Sequence, residues 1–181
     1  MASIGHVFVG VAAARFARAG QPAAWPAVGA AALWSGLSLL PDADVVGFRL
    51  GVHYADNWGH RGATHSFVFA GLAALAVLAL ARAVRLPARR TALIAFAVVA
   101  SHPLLDTLTD GGLGCALLWP FSHQRFFAPW TPLPVAPIGR AFLSPAGLRV
   151  AAFEAIAFLP FLIYAFWPRR PALAPPPAPL E

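Results

Sequence analysis

Three short clusters of ionisable residues interrupt an otherwise apolar sequence. They read LLPDAD at 39–44, GHRGATHS at 59–66 and SHPLLDTLTD at 101–110. Carboxylates and imidazoles are costly beside hydrocarbon unless they are paired, face a wet cavity or bind a cation. Together with an early histidine, the clusters supply the nitrogen and oxygen donors that a divalent cation needs. The predicted metal ligands are His6, Asp42, Asp44, His60, His65, His102 and Asp106.

The spacing within the third cluster suits a shared cation. His102 and Asp106 are four residues apart, so on a helix they project from one face. Pro103 lies between them, and we expect it at a helix start or a kink because proline lacks a backbone N–H. In the first cluster, Asp42 and Asp44 alternate across a turn, and one of them could instead cap a following helix.

The second cluster contains two glycines that permit tight backbone turns. Such turns would bring His60 and His65 together. Thr64 or Ser66 could also serve simply as the N-cap of the next helix.

These donors indicate a particular chemistry. Seven possible ligands exceed what one tetrahedral ion needs, so one or two ions are expected. A mixture of His and Asp favours Zn²⁺, with Mn or Fe as alternatives, over Mg²⁺ or Ca²⁺. Such an ion lowers the pKa of its bound water towards about 7 and polarises a phosphoryl or acyl oxygen. Asp44 or Asp110 is the predicted general base.

Other reaction classes lack their signatures in this sequence. It contains no HExxH, which zincin proteases use, and no GxSxG or Gly-rich phosphate loop. The lone Cys115 excludes an intrachain disulfide and a thiolate cluster, so His and Asp are left as the ligands.

The composition indicates a membrane protein. Hydrophobic residues make up 59% of the 181 residues and charged residues only 11%, whereas about a quarter of a soluble domain is charged. The formal net charge is +6, and the 13 basic residues are all arginine. They separate the apolar segments instead of forming a patch with aromatic residues. We therefore expect membrane lipid as a partner and no nucleic acid.

The predicted fold class is all-α, a polytopic membrane bundle of about five apolar helices with a polar metal site at one membrane face. The segments are Ala- and Leu-rich and lack strict alternation, and open sheets are not viable in lipid. They are somewhat shorter than the roughly 20 residues that cross a bilayer, so some are expected to span only partly. They cover residues 4–19, 22–40, 66–84, 91–105 and 150–167. One membrane-embedded domain is expected over 1–168, followed by a Pro-rich disordered tail over 169–181.

The arginine distribution predicts the topology. Arg82, Arg85, Arg89 and Arg90 occupy the connection between the third and fourth segments, which the positive-inside rule assigns to the cytoplasm. The amino terminus then lies outside, and all the predicted ligands fall at outer ends of segments. This convergence on the outer face argues that they form one site.

The ordered motifs resemble the YdjM-like family of inner-membrane proteins. They are GH at 5–6, the three clusters described above, and LWP at 118–120, so the resemblance covers about residues 5–125. It implies a polytopic helical protein of the bacterial inner membrane and a metal-dependent hydrolase with His and Asp ligands. Some members of the family are linked to LexA-regulated damage responses.

Residues 107–149 form a long stretch rich in Gly, Pro and aromatic side chains. The aromatic residues are expected either to anchor the chain at the membrane interface or to form a lipid-facing lid over the site. In the second case Arg125 and Arg61 would bind substrate phosphate.

Two functions remain open. The first is a membrane-bound metal-dependent hydrolase of a phosphoester in a lipid or lipid-linked substrate. The alternative is a metal-binding transporter or structural membrane protein without hydrolytic activity. A transporter places its ligands near the bilayer midplane, whereas the predicted ligands lie at segment ends, which favours hydrolysis.

Overall fold

The computed structural model describes residues 3–19 and 27–168. Within these ranges the chain is helical and has no β-strand, so the all-α prediction is confirmed. The α-helices are α1 Ser3–Arg18, α2 Ala27–Leu39, α3 Phe67–Ala83, α4 Ala88–Asp106, α5 Pro145–Ala157 and α6 Leu159–Phe166. Three 3₁₀ segments, Leu40–Leu50, Ala63–His65 and Gly139–Leu143, lie in the connections. The predicted tail at 169–181 lies outside the described residues.

The first four helices follow the first four apolar segments, but the predicted fifth segment is wrong as a single helix. It forms α5 and α6, which are bent by 50° relative to each other. Pro160 explains the break, because its nitrogen cannot donate to the carbonyl of the preceding turn. The last helical bond before the break runs from the N–H of Phe158 to the carbonyl of Glu154.

Pro103 lies in the last turn of α4 and not at a helix start, which was one of its two expected positions. Its nitrogen cannot donate to the carbonyl of Val99, so α4 lacks one bond in the turn before it ends at Asp106. The N–H of Thr107 still donates to the carbonyl of Pro103 at 3.0 Å and closes the helix.

None of the described helices is by itself both long enough and apolar enough to cross a membrane. The bent pair α5 and α6 meets these conditions jointly, by length and composition.

Small side chains dominate the helix contacts. α1 packs against α2, α4 and α6, and α3 packs against α4. The central core contains Ala13, Ala14, Ala30, Ala95 and Trp34, and alanine lets helix backbones approach closely. The backbones of α1 and α2 come close at Gly10, where an added Cβ would lie 2.4 Å from the Cα of Ser35.

The two ends of the bundle differ in charge. Arg90, at the start of α4, donates to the carbonyls of Phe16 and Ala19 at the end of α1. Arg15, also near the end of α1, donates to the carbonyl of Ala165 at the end of α6. The start of α1 and the end of α4 therefore lie at the opposite end of the bundle.

Replacement of Gly10 by alanine tests the α1–α2 contact. We expect the free energy of unfolding to fall by roughly 1–3 kcal/mol, because the added methyl group overlaps the backbone of α2. The midpoint of thermal unfolding in detergent is the measurement. Gly36→Ala is the matched control, because a Cβ at Gly36 meets no described atom within 4 Å. If the two variants unfold at the same temperature, the close packing of α1 on α2 is wrong.

Candidate metal centre

Four of the predicted ligands form a compact set of donors at the end of the bundle where α1 starts and α4 ends. The donor atoms of Asp42, His65, His102 and Asp106 all lie within 4.8 Å of one another. Oδ1 of Asp42 is 3.3 Å from Nε2 of His102 and 3.6 Å from Nε2 of His65. Oδ2 of Asp106 is 3.7 Å from Nε2 of His65 and 3.9 Å from Nε2 of His102. We call these four residues the quartet.

The separations in the quartet suit a metal ion better than hydrogen bonds. A tetrahedral ion with bonds of about 2.1 Å holds its ligands about 3.4 Å apart. Most donor–donor distances in the quartet, at 3.3–3.9 Å, exceed a good N–H···O hydrogen bond. Nε2 of His65 and Nε2 of His102 are buried and have no hydrogen-bond partner among the described residues. Two such orphaned nitrogens facing two carboxylates fit a divalent cation.

The opposite ring nitrogens of these histidines are fixed by hydrogen bonds. Nδ1 of His102 donates to the carbonyl of Ser38 at 2.7 Å, which leaves Nε2 with its lone pair. Nδ1 of His65 lies 3.2 Å from Oδ2 of Asp44. Metal-binding histidines are usually held in this way by a carbonyl or a carboxylate.

Each member of the quartet is positioned by a local feature of the chain. His102 and Asp106 lie one turn apart on α4, as their spacing predicts. Asp42 lies in the 3₁₀ segment Leu40–Leu50, directly after α2. His65 ends the segment Ala63–His65, and Ser66 then caps α3 by accepting from the N–H of Phe69 at 3.1 Å.

The glycine turns before His65 are required by close backbone contacts. A Cβ at Gly59 would lie 2.1 Å from the carbonyl oxygen of His53. A Cβ at Gly62 would lie 2.3 Å from the carbonyl oxygen of Asn57. Any larger residue would push the loop away from the site.

Asp44 lies behind His65 and accepts several hydrogen bonds. Its Oδ1 is 2.7 Å from Nδ1 of His60. Its Oδ2 accepts from the backbone N–H of Arg61 at 3.2 Å and from the hydroxyl of Thr64 at 2.7 Å. Asp44, His60 and His65 form a second group of potential ligands, and His65 belongs to both groups.

His6 completes the set of predicted ligands from the first turns of α1. It is fully buried, and its Nε2 lies 3.3 Å from Oδ1 of Asp106. Its ring stacks on His102 with a centroid distance of 3.6 Å. The structure therefore brings all seven predicted ligands into one region, with His6 on the far side of Asp106 from Arg61.

The two predicted substrate-binding arginines already have partners in the protein. Arg61 is buried, its Nε lies 3.2 Å from Oδ2 of Asp106, and its Nη1 donates to the carbonyl of Gly111 at 2.9 Å. Arg125 donates to the backbone carbonyls of His60, Tyr54 and Asp56. Both guanidinium groups therefore stabilise loops around the site by hydrogen bonds to backbone carbonyls.

The predicted base Asp110 lies at the surface. Its Oδ1 accepts from the N–H of Val135 at 2.7 Å, which ties two loops together. Two histidines that are not among the predicted ligands lie in loops. His53 is exposed, and the ring of His123 hydrogen-bonds to Asn57.

Electrostatics in the connections favour a cation. Burial raises the pKa of Asp44, but hydrogen bonds with His60 and His65 outweigh it and lower that pKa to about 2. Burial lowers the pKa of His65, but the carboxylates of Asp106, Asp42 and Asp44 outweigh it and raise that pKa to about 10. Without a metal ion, the carboxylates therefore hold a proton on His65.

A cleft of about 480 Å³ opens beside the site. One wall is polar and contains Asp42, Tyr54, His60 and Arg61. The other wall is largely apolar and consists of residues 135–139 and Phe142. The side chain of Asp42 is 23% exposed, whereas the other three members of the quartet are almost completely buried, so Asp42 is the side from which the quartet is reached.

Sequence reasoning missed three parts of this site. The carbonyl of Ser38 is a backbone group, so no residue type marks it. The apolar wall lies in a loop without periodicity, and its position depends on tertiary packing. Only Thr64 carried a usable signal, since a hydroxyl beside two histidines could have been expected to hydrogen-bond to the site and not only to cap a helix.

Comparisons with known proteins agree with the motifs. The family model described as YdjM inner membrane protein matches residues 1–172, which takes in α5 and α6 as well as the motif region. The inner membrane protein YbcI of Escherichia coli (strain K12) is 42% identical over 139 residues, covering 74% of this chain and 80% of that protein. No solved structure matches the chain. Because the family model covers nearly the whole sequence, the chain belongs to the YdjM family of inner membrane proteins.

Proposed function

We propose that the protein is a membrane-bound, metal-dependent hydrolase that cleaves a phosphoester in a lipid or lipid-linked molecule. The observation that carries the proposal is the quartet, in which two orphaned imidazole nitrogens face two carboxylates at the edge of a cleft. Zn²⁺ suits these donors best, and Mn or Fe are alternatives. When bound, the ion would supply an activated water and polarise the phosphoryl oxygen.

The cleft supports an amphiphilic substrate. Its apolar wall, with Val135, Ile138 and Phe142, suits hydrocarbon, and its polar wall lies beside Asp42 of the quartet. Exposed aromatic side chains, including Phe121 and Trp130, occur in the same stretch of loops. Such residues favour the membrane interface, where a lipid headgroup would reach the cleft.

The protein's own groups would then position the reaction. Asp42 and His60 line the cleft, and Asp44 holds the ring of His60 from behind. Of the two predicted bases, Asp44 is thus connected to the cleft through His60, whereas Asp110 is engaged with Val135. Arg61 and Arg125 keep their predicted role in phosphate binding only if the substrate displaces their present partners.

Replacement of single quartet members tests the metal site. His65→Ala and His102→Ala should each reduce the zinc content of purified protein to a small fraction of the wild-type value, because second-sphere changes alone already cost about 10–100-fold in affinity. The matched control is His53→Ala, whose exposed ring lies outside the quartet. Wild-type zinc content in His65→Ala, His102→Ala, Asp42→Ala and Asp106→Ala would refute the site.

The same variants test the reaction. The wild-type protein should hydrolyse a phosphodiester probe or a phospholipid in mixed micelles, lose this activity with a chelator and regain it with Zn²⁺ or Mn²⁺. His53→Ala should behave as wild type, and His65→Ala should be inactive. A metal-loaded wild-type protein that hydrolyses no phosphoester among soluble, lipid and lipid-linked substrates would favour a binding role without catalysis.

Metal binding should release a proton near pH 7. The pKa of His65 in the metal-free protein is raised to about 10, so its ring is protonated and must lose that proton to bind an ion. The apparent affinity should therefore weaken as the pH falls. Calorimetric titration with Zn²⁺ in buffers of different ionisation enthalpy measures the release. A binding heat that is independent of the buffer would contradict a protonated His65.

Orientation in the membrane is a further part of the proposal. The arginines at 82–90 lie towards the end of the bundle opposite to the quartet, as the bonds of Arg90 to the end of α1 indicate. By the positive-inside rule, we propose that the quartet lies on the outer face. A cytoplasmic reporter fused in the 82–90 connection should be active, and the same reporter near Asn57 should be silent. The reverse pattern would move the site to the cytoplasmic face.

A further inference from the structure

We infer that the site holds one divalent cation, in the quartet, and that Arg61 takes the place of a second one. The inference rests on the proposed metal site and narrows it. It assigns Asp44 and His60, which are also potential ligands, to a hydrogen-bonded frame around the single ion.

The distances separate the two groups of potential ligands. In the quartet the carboxylate-to-imidazole separations are 3.3–3.9 Å, which suits an ion in between. In the second group, Asp44 is 2.7 Å from Nδ1 of His60 and 3.2 Å from Nδ1 of His65. The separation between Asp44 and His60 is a hydrogen-bond length, so a proton and not a metal ion lies between these two side chains.

Asp44 has little acceptor capacity left for a second ion. A carboxylate offers about four acceptor positions. Its oxygens already bond to His60, to the N–H of Arg61 and to the hydroxyl of Thr64. Nδ1 of His65 lies 3.2 Å from Oδ2 and occupies the remaining side.

The charge of the site also matches a single ion. Asp42, Asp44 and Asp106 supply three negative charges, and the guanidinium of Arg61 offsets one of them through its contact with Asp106. Imidazole ligands bind metal in the neutral form. Arg61 therefore lowers the negative charge that metal ions have to offset, which favours one divalent cation over two.

Both the backbone and the side chain of Arg61 are held by bonds to the surrounding residues. Its backbone N–H binds Asp44, its backbone carbonyl accepts from the N–H of Ala116 at 3.0 Å, and its guanidinium contacts Asp106 and Gly111. A Cβ at Gly112 would come within 3.1 Å of Nη1. The fixed guanidinium therefore supplies a positive charge at Oδ2 of Asp106, where a second cation would otherwise be needed.

Titration of metal-stripped, full-length protein with Mn²⁺ tests the inference, with free Mn²⁺ measured by electron paramagnetic resonance. We expect saturation at one Mn²⁺ per chain and no spin-coupled pair. Saturation at two would overturn the inference while leaving a metal-dependent hydrolase possible. Absence of binding of both Mn²⁺ and Zn²⁺ would remove the metal site, and with it both the inference and the proposed function.

Two variants assign the roles of the surrounding residues. Asp44→Asn should still bind one Mn²⁺, more weakly by about 10–100-fold, because it weakens the hydrogen-bonded frame around His65 and His60 but removes no ligand of the ion. Arg61→Met should bind a second Mn²⁺, because Asp106 then loses the positive charge of the guanidinium, whereas Arg61→Lys should stay at one. A capacity of one in Arg61→Met, with the first ion retained, would overturn the role of Arg61. If Arg61→Met does not fold, the capacities of the wild type and Asp44→Asn still decide between one ion and two.

Discussion

The compensation of buried carboxylates by imidazole and guanidinium groups is the constraint on which the rest of the structure depends. Asp106 is almost fully buried, although an uncompensated carboxylate in such surroundings would cost several kcal/mol. His6 from α1, Arg61 from the second cluster and His102 from its own helix all contribute to its compensation. The start of α1 and the end of α4 must therefore lie side by side. The alanines and Gly10 in the helix contacts let the helix backbones come close enough for this.

The same constraint explains why the connections are ordered. The Leu, Val and Phe side chains of Leu40–Leu50 are partly buried or exposed, and Ala63–His65 has only three residues, so neither segment forms an apolar core of its own. Their polar side chains and backbone instead bond to the site, as Asp44 does with Thr64. Loops are usually the most variable parts of a protein, but here the loop around His65 is held on one side by the quartet and on the other by the frame.

Much of this architecture was predictable from the sequence, and the exceptions have physical causes. Hydropathy located the first four helices, since long apolar runs without alternation can form little else. The break at Pro160 was missed because the apolar residues continue on both sides of this proline, so hydropathy alone indicated one helix. Spacing indicated that His102 and Asp106 share a helix face. The pairing of Arg61 with Asp106 was missed, because contacts between distant segments depend on packing that no local pattern encodes.

The backbone and the side chain of Arg61 favour different residues at this position. Its φ of 63° lies in the left-handed region, where glycine is at ease and a long side chain is strained. Replacement by glycine would relax the turn but would leave the buried Asp106 without its guanidinium. Strain of this kind persists where the surroundings over-determine it, and it tends to occur at functional sites. Arg61→Gly would therefore suit the backbone best and the site least. The arginine keeps a strained backbone conformation, and in return its guanidinium compensates the buried carboxylate of Asp106.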